Sequence, residues 1–273
     1  MSIPNKSKTQ VIIALHLLTT CMGMLTSLPA SARDWPEIAR SGTLLVGTTG
    51  DYPPLTLRSK QGRYQGFAID MAESLASYLS LVSEKHIRVE FVLTQWPDLH
   101  HDLQQDYFDI AMGGITRTED RSKQFLLSDN VIPSGKVILM QNKLAAPFSG
   151  LNDQALLNKL NASKLHLVIN PGGTNERFAK RYLSSMPFTM AANNREPFLM
   201  LRNHQADLML TDSIEARYQV KQIPSLTIVN PDRFSWTLSH KVYMMQKNSH
   251  TLLGEVNRWL KLTNIEQIKK NWF

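Results

Sequence analysis

The chain has 273 residues, a formal net charge of +7 and one cysteine, Cys21. Its lysines and arginines are scattered among acids, without the basic runs or aromatic-rich motifs of RNA-binding proteins, so no nucleic-acid partner is expected. A single cysteine cannot form a disulfide within the chain, and stability must therefore come from packing. The mild positive excess suits attraction of a small anion, although it is equally typical of an ordinary solvated surface.

The first 32 residues have the pattern of a secretory signal peptide. Lys6 and Lys8 give a charged start, an apolar stretch spans residues 11–28, and the sequence A-S-A at 30–32 offers a cleavage site. Polar residues interrupt the apolar stretch, which makes it a poor uncleaved membrane span. A membrane anchor and a lipoprotein are the alternatives. We expect export and cleavage after residue 32, which removes the cysteine and leaves no membrane attachment.

The first half of the mature chain alternates between strand and helix patterns. Apolar spacing predicts a helix at 35–41, a strand at 44–48, a helix from 66 through 79, a strand at 89–93, a helix at 96–103 and a strand at 108–112. Such β-α repetition predicts a parallel sheet.

A second β-α series follows an extended stretch at 136–140. It consists of a strand at 165–169, a loop at 170–174, a helix from 175 and a strand at 208–210, and two amphipathic helices near 252–262 and 265–272 end the chain. Two similar series joined near 133–145 predict an α/β protein with two lobes around a cleft. We expect residues 33–132 and 238–273 to form lobe 1, and residues 133–237 to form lobe 2.

Polar side chains follow the predicted strands at the edge where open α/β sheets bind ligands. Each has an ordinary explanation as a turn residue, cap or surface charge, but their coincidence at this edge indicates a site. Asp212 is a natural helix N-cap, and Glu215 follows three residues later on the same first turn. The residues concerned are Asp51, Tyr52, Thr116, Arg121, Asn170, Thr174, Asp212 and Glu215.

Metal and nucleotide cofactors have no support in the sequence. The zinc-protease, P-loop and dinucleotide-binding motifs are absent. His100 and His101 are adjacent, so they diverge on a helix and do not chelate one metal.

The chain resembles the family 3 extracellular solute-binding proteins. The matching stretches are GTTGDYPP at 47–54, GFAIDMA at 66–72, FDIAM at 108–112 and GIT at 114–116 followed by EDR at 119–121. The resemblance implies a periplasmic-binding-protein-like (type II) fold, an amino acid bound between the lobes and delivery to an ABC importer. It implies that Arg121 holds a ligand carboxylate, Tyr52 flanks the ligand and Asp212 faces an amino group. Thr116 and Thr174 would add hydrogen bonds.

The chain is more similar still to an enzymatic branch of that family, the periplasmic cyclohexadienyl dehydratases. TTGDY at 48–52, WP at 96–97, SGK at 134–136, VINPGGTNE at 168–176 and ADLMLTDSIEA at 206–216 carry this likeness. The branch implies that Glu215 is a general acid, where amino-acid binders usually have a small or apolar residue. Lys136 would be an active-site lysine. Asp51, Trp96, Asn170 and Asp212 would be cleft residues, whereas Leu55 and Arg117 depart from the usual pattern.

The branch implies prephenate and L-arogenate as substrates, which lose water and carbon dioxide to give phenylpyruvate and L-phenylalanine. Aromatisation drives this reaction, so no cofactor is expected. Arg121 and Lys136 would hold the anion, and Glu215 would protonate the leaving hydroxyl, with Glu176 as the next candidate acid. The alternative is a non-catalytic amino-acid-binding protein, for which an ABC importer would be the partner.

Overall fold

Two five-stranded sheets organise the part of the chain that the computed structural model describes, residues 33–273. The predicted signal peptide lies outside the described residues. In chain order, the strands are β1 Thr43–Thr48, β2 Asp51–Tyr52, β3 Thr56–Arg58, β4 Tyr64–Gln65, β5 Arg88–Leu93, β6 Ile110–Ala111, β7 Leu126–Leu127, β8 Ile132–Ser134, β9 Lys136–Gln141, β10 Leu167–Ile169, β11 Phe188–Met190, β12 Leu208–Asp212, β13 Leu226–Ile228, β14 Ser239–Lys241 and β15 Met244–Met245.

The helices lie between these strands and at the end of the chain. They are α1 Trp35–Ser41, α2 Phe67–Ser83, α3 Leu99–Gln104, α4 Glu119–Gln124, α5 Asn142–Ala145, α6 Asp153–Asn161, α7 Gly173–Tyr182, α8 Glu196–Arg202, α9 Ser213–Gln222, α10 His250–Leu262 and α11 Ile265–Lys269, with a 3-10 turn at Ser235–Thr237. None of the helices in residues 33–273 combines the length and apolar character needed to cross a bilayer.

The strands of the predicted β-α series are parallel to one another, as expected, but each sheet also contains antiparallel strands. The first sheet has the order β5-β1-β6-β15-β7, and β15 runs antiparallel to both of its neighbours. The second has the order β11-β10-β12-β9-β13, and β9 runs antiparallel to β12. The antiparallel strands β9 and β15 come from chain segments that pass between the two β-α series. Those segments enter a sheet from the opposite end, which reverses their direction.

Each sheet has its own apolar core, and we call the bodies built on them the first and second lobes. The side chains of α2 and α10 pack on the first sheet, with Trp259 fully buried. Phe178 and Phe234 belong to the core on one face of the second sheet. The antiparallel pair β8 and β14 lies where the chain passes between the lobes. The exact lobe boundaries given above stay a prediction.

Local sequence explains where the helices near the cleft begin. Gly66 precedes α2 with φ +133°, in the left-handed half of the backbone map, where a side chain would press on the Leu55 carbonyl. The helix predicted from residue 96 begins later, at Leu99, because Pro97 disfavours helical backbone at Trp96.

Candidate functional site

Asp212 is the centre of the candidate site, at the carboxyl end of the wholly buried strand β12. It occupies the predicted N-cap position of α9, but its side chain makes no capping hydrogen bond. Instead, its Oδ1 accepts a hydrogen bond from Lys136 Nζ at 2.8 Å, and its Oδ2 accepts from Lys241 Nζ at 2.6 Å. The Tyr52 hydroxyl also donates to Oδ2, at 2.5 Å. The carboxylate therefore has three donors drawn from three different strands.

Sheet geometry explains this convergence. Antiparallel pairing sets Lys136 of β9 directly opposite Asp212 of β12. Lys241 ends β14 and forms an isolated bridge with Thr116. Its ammonium also donates to the Gly114 carbonyl at 2.9 Å and to the Thr116 hydroxyl at 3.0 Å.

Sequence reasoning missed Lys241. Its position in the sequence could have indicated it. Lys241 comes immediately before the apolar run 242–245, and the other site residues also lie next to apolar strands.

Burial and charge determine the protonation of this cluster. Lys136, Lys241 and Asp212 are each 4% exposed or less. Burial alone would raise the pKa of Asp212, but the two ammonium groups hold that pKa well below its usual value. Burial, together with the charges of Lys241 and Arg121, lowers the pKa of Lys136 to about 8. Lys136 and Asp212 are therefore both charged at neutral pH.

Glu215 is buried without a charged partner. It is 1% exposed, its Oε2 accepts a hydrogen bond from the Thr211 hydroxyl at 2.5 Å, and its Oε1 has no partner among the described residues. Burial raises the pKa of Glu215 well above its usual value, and the charges of Asp212 and Asp51 raise it further. The hydrogen bond from Thr211 and the charge of Lys241 oppose this shift. Burial and the neighbouring carboxylates therefore both favour the neutral, protonated form of Glu215.

Arg121 is a buried cation held in place by His100. Its Nη1 donates to the Thr116 carbonyl at 2.7 Å, and its Nε donates to His100 Nε2 at 3.2 Å. Burial and the charges of Arg121 and Arg177 lower the pKa of His100 to about 4, so its ring is a neutral acceptor. Nη2 of Arg121 makes no hydrogen bond within residues 33–273. This leaves one face of the guanidinium for a ligand.

A small cavity lies next to Asp212. Of the ten predicted site residues, Asp51, Lys136 and Glu215 lie outside its lining. Trp96 lines it edge-on to Tyr52, with ring centroids 5.9 Å apart, and the Trp96 Nε1 has no partner among the described residues. The lining comprises Tyr52, Trp96, Gly114, Thr116, Arg121, Asn170, Gly172, Gly173, Thr174, Asn175 and Asp212.

A chain of amides connects Asp51 with Lys136. Asn194 donates from its Nδ2 to Asp51 Oδ1 at 3.1 Å and accepts from Asn170 Nδ2 at 2.7 Å. Asn170 in turn accepts from Asn175 Nδ2 at 3.3 Å. Lys136 donates to the Asn175 carbonyl oxygen and, at 2.7 Å, to Thr174 Oγ1. Asp51 and Asn194 thus join the two lobes, and Asn194 is a second residue that sequence reasoning missed.

The two residues that depart from the branch pattern lie outside the cavity lining. Leu55 is 1% exposed and belongs to the core of the first lobe. Arg117 donates from its Nε to Asn130 at 3.0 Å and from its Nη2 to the Ser128 carbonyl. Leu55 therefore packs in the core, and Arg117 binds a neighbouring loop, so neither side chain contacts the cavity.

Comparison with known proteins identifies the family. The sequence profile of the bacterial extracellular solute-binding proteins, family 3, matches residues 44–273. The chain is 32% identical to the cyclohexadienyl dehydratase of Pseudomonas aeruginosa, over 92% of this chain and 91% of that protein. It is 24% identical to the L-cystine-binding protein TcyJ of Escherichia coli K12, over 97% and 95%. The chain belongs to the family 3 solute-binding proteins.

Solved structures give the same picture. An ancestral amino acid-binding protein, a precursor of cyclohexadienyl dehydratase, is 32% identical with a TM-score of 0.76, covering 88% of this chain and 98% of that one. An ancestral cyclohexadienyl dehydratase is 41% identical with a TM-score of 0.51, covering 89% and 97%. The two-lobed α/β fold predicted from the sequence is confirmed.

Proposed function

We propose that the protein is a cyclohexadienyl dehydratase that works in the periplasm after loss of its signal peptide. It would convert prephenate to phenylpyruvate and L-arogenate to L-phenylalanine. The identity with the Pseudomonas aeruginosa enzyme and with an ancestral dehydratase supports this assignment. The observation that carries it is the buried carboxyl of Glu215, whose Oε1 has no partner among the described residues.

A buried carboxylic acid is suited to giving up a proton at neutral pH. Glu215 is protonated because burial disfavours its anion. A buried carboxyl without a charged partner also costs stability, so its presence beside a ligand cleft points to a chemical role. General-acid help of this kind is worth about 10²- to 10⁴-fold in rate.

The reaction needs one proton and no redox partner. The bond between the ring and its carboxylate breaks, carbon dioxide leaves, and the electron pair enters the ring. The ring C–OH bond breaks with its pair on oxygen, and Glu215 protonates that oxygen to release water. Glu215 is left as a carboxylate and regains its proton from solvent when the product leaves.

Buried cations hold the anionic substrate. Arg121 offers its free Nη2, and a guanidinium matches a carboxylate in geometry as well as charge. Lys136 and Lys241 both form ion pairs with Asp212. Because two ammonium groups face one carboxylate, the cluster has a net positive charge that attracts the substrate. In a dry cleft such fixed charges act more strongly than they would in water.

Proton delivery requires the cavity wall to shift, since Glu215 lies outside the lining. Tyr52 is the lining residue that donates to Asp212, and burial and the charge of Asp212 raise the pKa of its hydroxyl well above its usual value. A ligand that displaces the Tyr52 hydroxyl would open a route to the acid. Closure of the lobes around the ligand would then exclude water.

The second candidate is a non-catalytic amino-acid-binding protein that delivers its ligand to an ABC importer. The identity with TcyJ over nearly the whole chain favours this candidate. The likeness to an ancestral amino acid-binding protein favours it as well.

The test is to incubate the mature protein with prephenate and to read the absorbance of phenylpyruvate in alkali. We expect turnover, its loss in Glu215→Gln with retained ligand binding, and no change in the control Glu73→Gln, whose carboxyl is exposed. An absence of product, together with a thermal shift by a common amino acid, would favour the binding protein. Full turnover by Glu215→Gln would assign the acid to another residue.

A further inference from the structure

We propose that the site selects a 2-oxo acid over the corresponding 2-amino acid, because Lys136 and Lys241 already occupy the carboxylate that would hold an amino group. The inference rests on the proposed function and makes prephenate the preferred substrate and L-arogenate a poor one.

The resemblance to amino-acid binders implies that Asp212 faces the ligand's ammonium group. In this protein both of its oxygens are engaged by buried cations, at 2.8 Å and 2.6 Å, and the Tyr52 hydroxyl takes a third position. A ligand ammonium would be a third cation on one carboxylate. The like charges would repel one another in surroundings that screen them poorly.

The other side-chain acceptors of the cavity wall are engaged as well. Thr116 Oγ1 accepts from Lys241, and Thr174 Oγ1 accepts from Lys136. The carbonyl oxygens of Asn170 and Asn175 accept from Asn175 and Lys136 respectively. An ammonium group, which has three donors and no acceptor, would have to share oxygens that already accept from a lysine or an amide.

The groups left free in the same wall are donors. Trp96 Nε1 is buried without a partner in the described part of the chain, and the indole N–H is a donor only. Arg121 Nη2 is likewise free. A 2-oxo group and a carboxylate are acceptors that satisfy these donors, so the cavity complements an oxo acid.

The experiment measures kcat/KM for prephenate and for L-arogenate with the same preparation. We expect the ratio to favour prephenate by at least about 100-fold, since like-charge contacts of this kind cost several kcal/mol. Lys241→Met should narrow the ratio by about tenfold or more, because it frees one oxygen of Asp212 for an ammonium group. The matched control Lys60→Met removes an exposed ammonium and should leave the ratio unchanged.

A second variant covers the case in which Lys241→Met does not fold. Trp96→Phe removes the free donor and keeps a ring, and it should lower kcat/KM for prephenate about two- to tenfold while sparing L-arogenate. Equal use of the two substrates by the unmodified protein, or a preference for L-arogenate, would overturn the inference.

Failure of the proposed function gives a different result, since neither substrate would then be turned over. The inference is in that case tested by thermal shift with phenylpyruvate against L-phenylalanine. Stronger stabilisation by the oxo acid supports it, and stronger stabilisation by the amino acid overturns it.

Discussion

Replacing Glu215 with glutamine is expected to stabilise the fold at neutral pH while it removes turnover. In the unfolded chain this carboxyl ionises near its ordinary pKa of 4.5, whereas burial raises the pKa of Glu215 well above that value in the folded protein. Above pH 4.5 the unfolded state gains free energy by releasing a proton that the folded state keeps. Glutamine has nearly the same shape and does not titrate, so the variant does not carry this penalty.

The size of the effect follows from the pH. Each pH unit between 4.5 and the folded-state pKa favours unfolding by about 1.4 kcal/mol, which amounts to at most about 3 kcal/mol at pH 7. That figure is an upper bound, because glutamine must also satisfy its amide within the same pocket. For a chain of this size, 1 kcal/mol corresponds to roughly 2–4 °C in melting temperature. The variant should therefore melt up to roughly 6–12 °C higher at pH 7.

The assay is thermal unfolding of both proteins at pH 4 and at pH 7, with Glu73→Gln as the exposed control. We expect the melting temperatures of Glu215→Gln and the unmodified protein to converge at pH 4 and to separate at pH 7. An equal difference at the two pH values would refute the reasoning, since the carboxyl would then not hold its proton in the fold.

Three further outcomes are expected. Burial lowers the pKa of Lys136 to about 8, so its ammonium group loses its positive charge above that pH. KM for prephenate should therefore be constant below pH 7 and rise above pH 8. Initial rates from pH 6 to 9.5 check this, and a constant KM over the whole range would contradict it. Asp212→Asn leaves two buried ammonium groups without their counter-ion and should lower the free energy of unfolding in urea by about 3–5 kcal/mol. The control Asp232→Asn changes an exposed carboxylate and should have little effect. Equal losses of stability in the two variants would count against the ion pairs. Gly66→Ala should destabilise by more than about 1 kcal/mol because of its φ of +133°, whereas Gly254→Ala, in open space within α10, should stabilise slightly; the reverse order of melting temperatures would exclude this explanation.

Apolar periodicity was sufficient to predict the elements that carry the site. The predicted strand 44–48 is β1 within one residue, and helix 35–41 matches α1. The spacing of apolar residues indicates which side chains are buried. That burial pattern is determined by the elements that pack against each strand or helix, so the spacing predicts the elements. It does not record strand direction, so the antiparallel runs of β9 and β15 could not be predicted from it.

The roles of charged residues were harder to predict because they depend on partners distant in the chain. Asp212 looked like a helix cap by its position, but Lys136 and Lys241 come from strands 76 and 29 residues away and occupy its oxygens. Only the fold brings them together. Asp212 and Glu215 lie three residues apart, yet the pKa of Asp212 is lowered and that of Glu215 is raised, since only Asp212 has ammonium groups in contact.

The hydrogen bonds that join the two lobes have a thermodynamic consequence. They include the contacts of Tyr52 and of Lys241 with Asp212, of Asp51 with Asn194, and of Arg195 with the Gly50 carbonyl at 2.6 Å, and both partners in each are polar. Water can replace each of them when the lobes part, whereas the change in heat capacity on unfolding comes from exposed apolar area. Opening should therefore change the heat capacity far less than unfolding does. Calorimetry of ligand binding should then give a heat-capacity change well below that of unfolding, and product could leave at temperatures where both apolar cores stay intact.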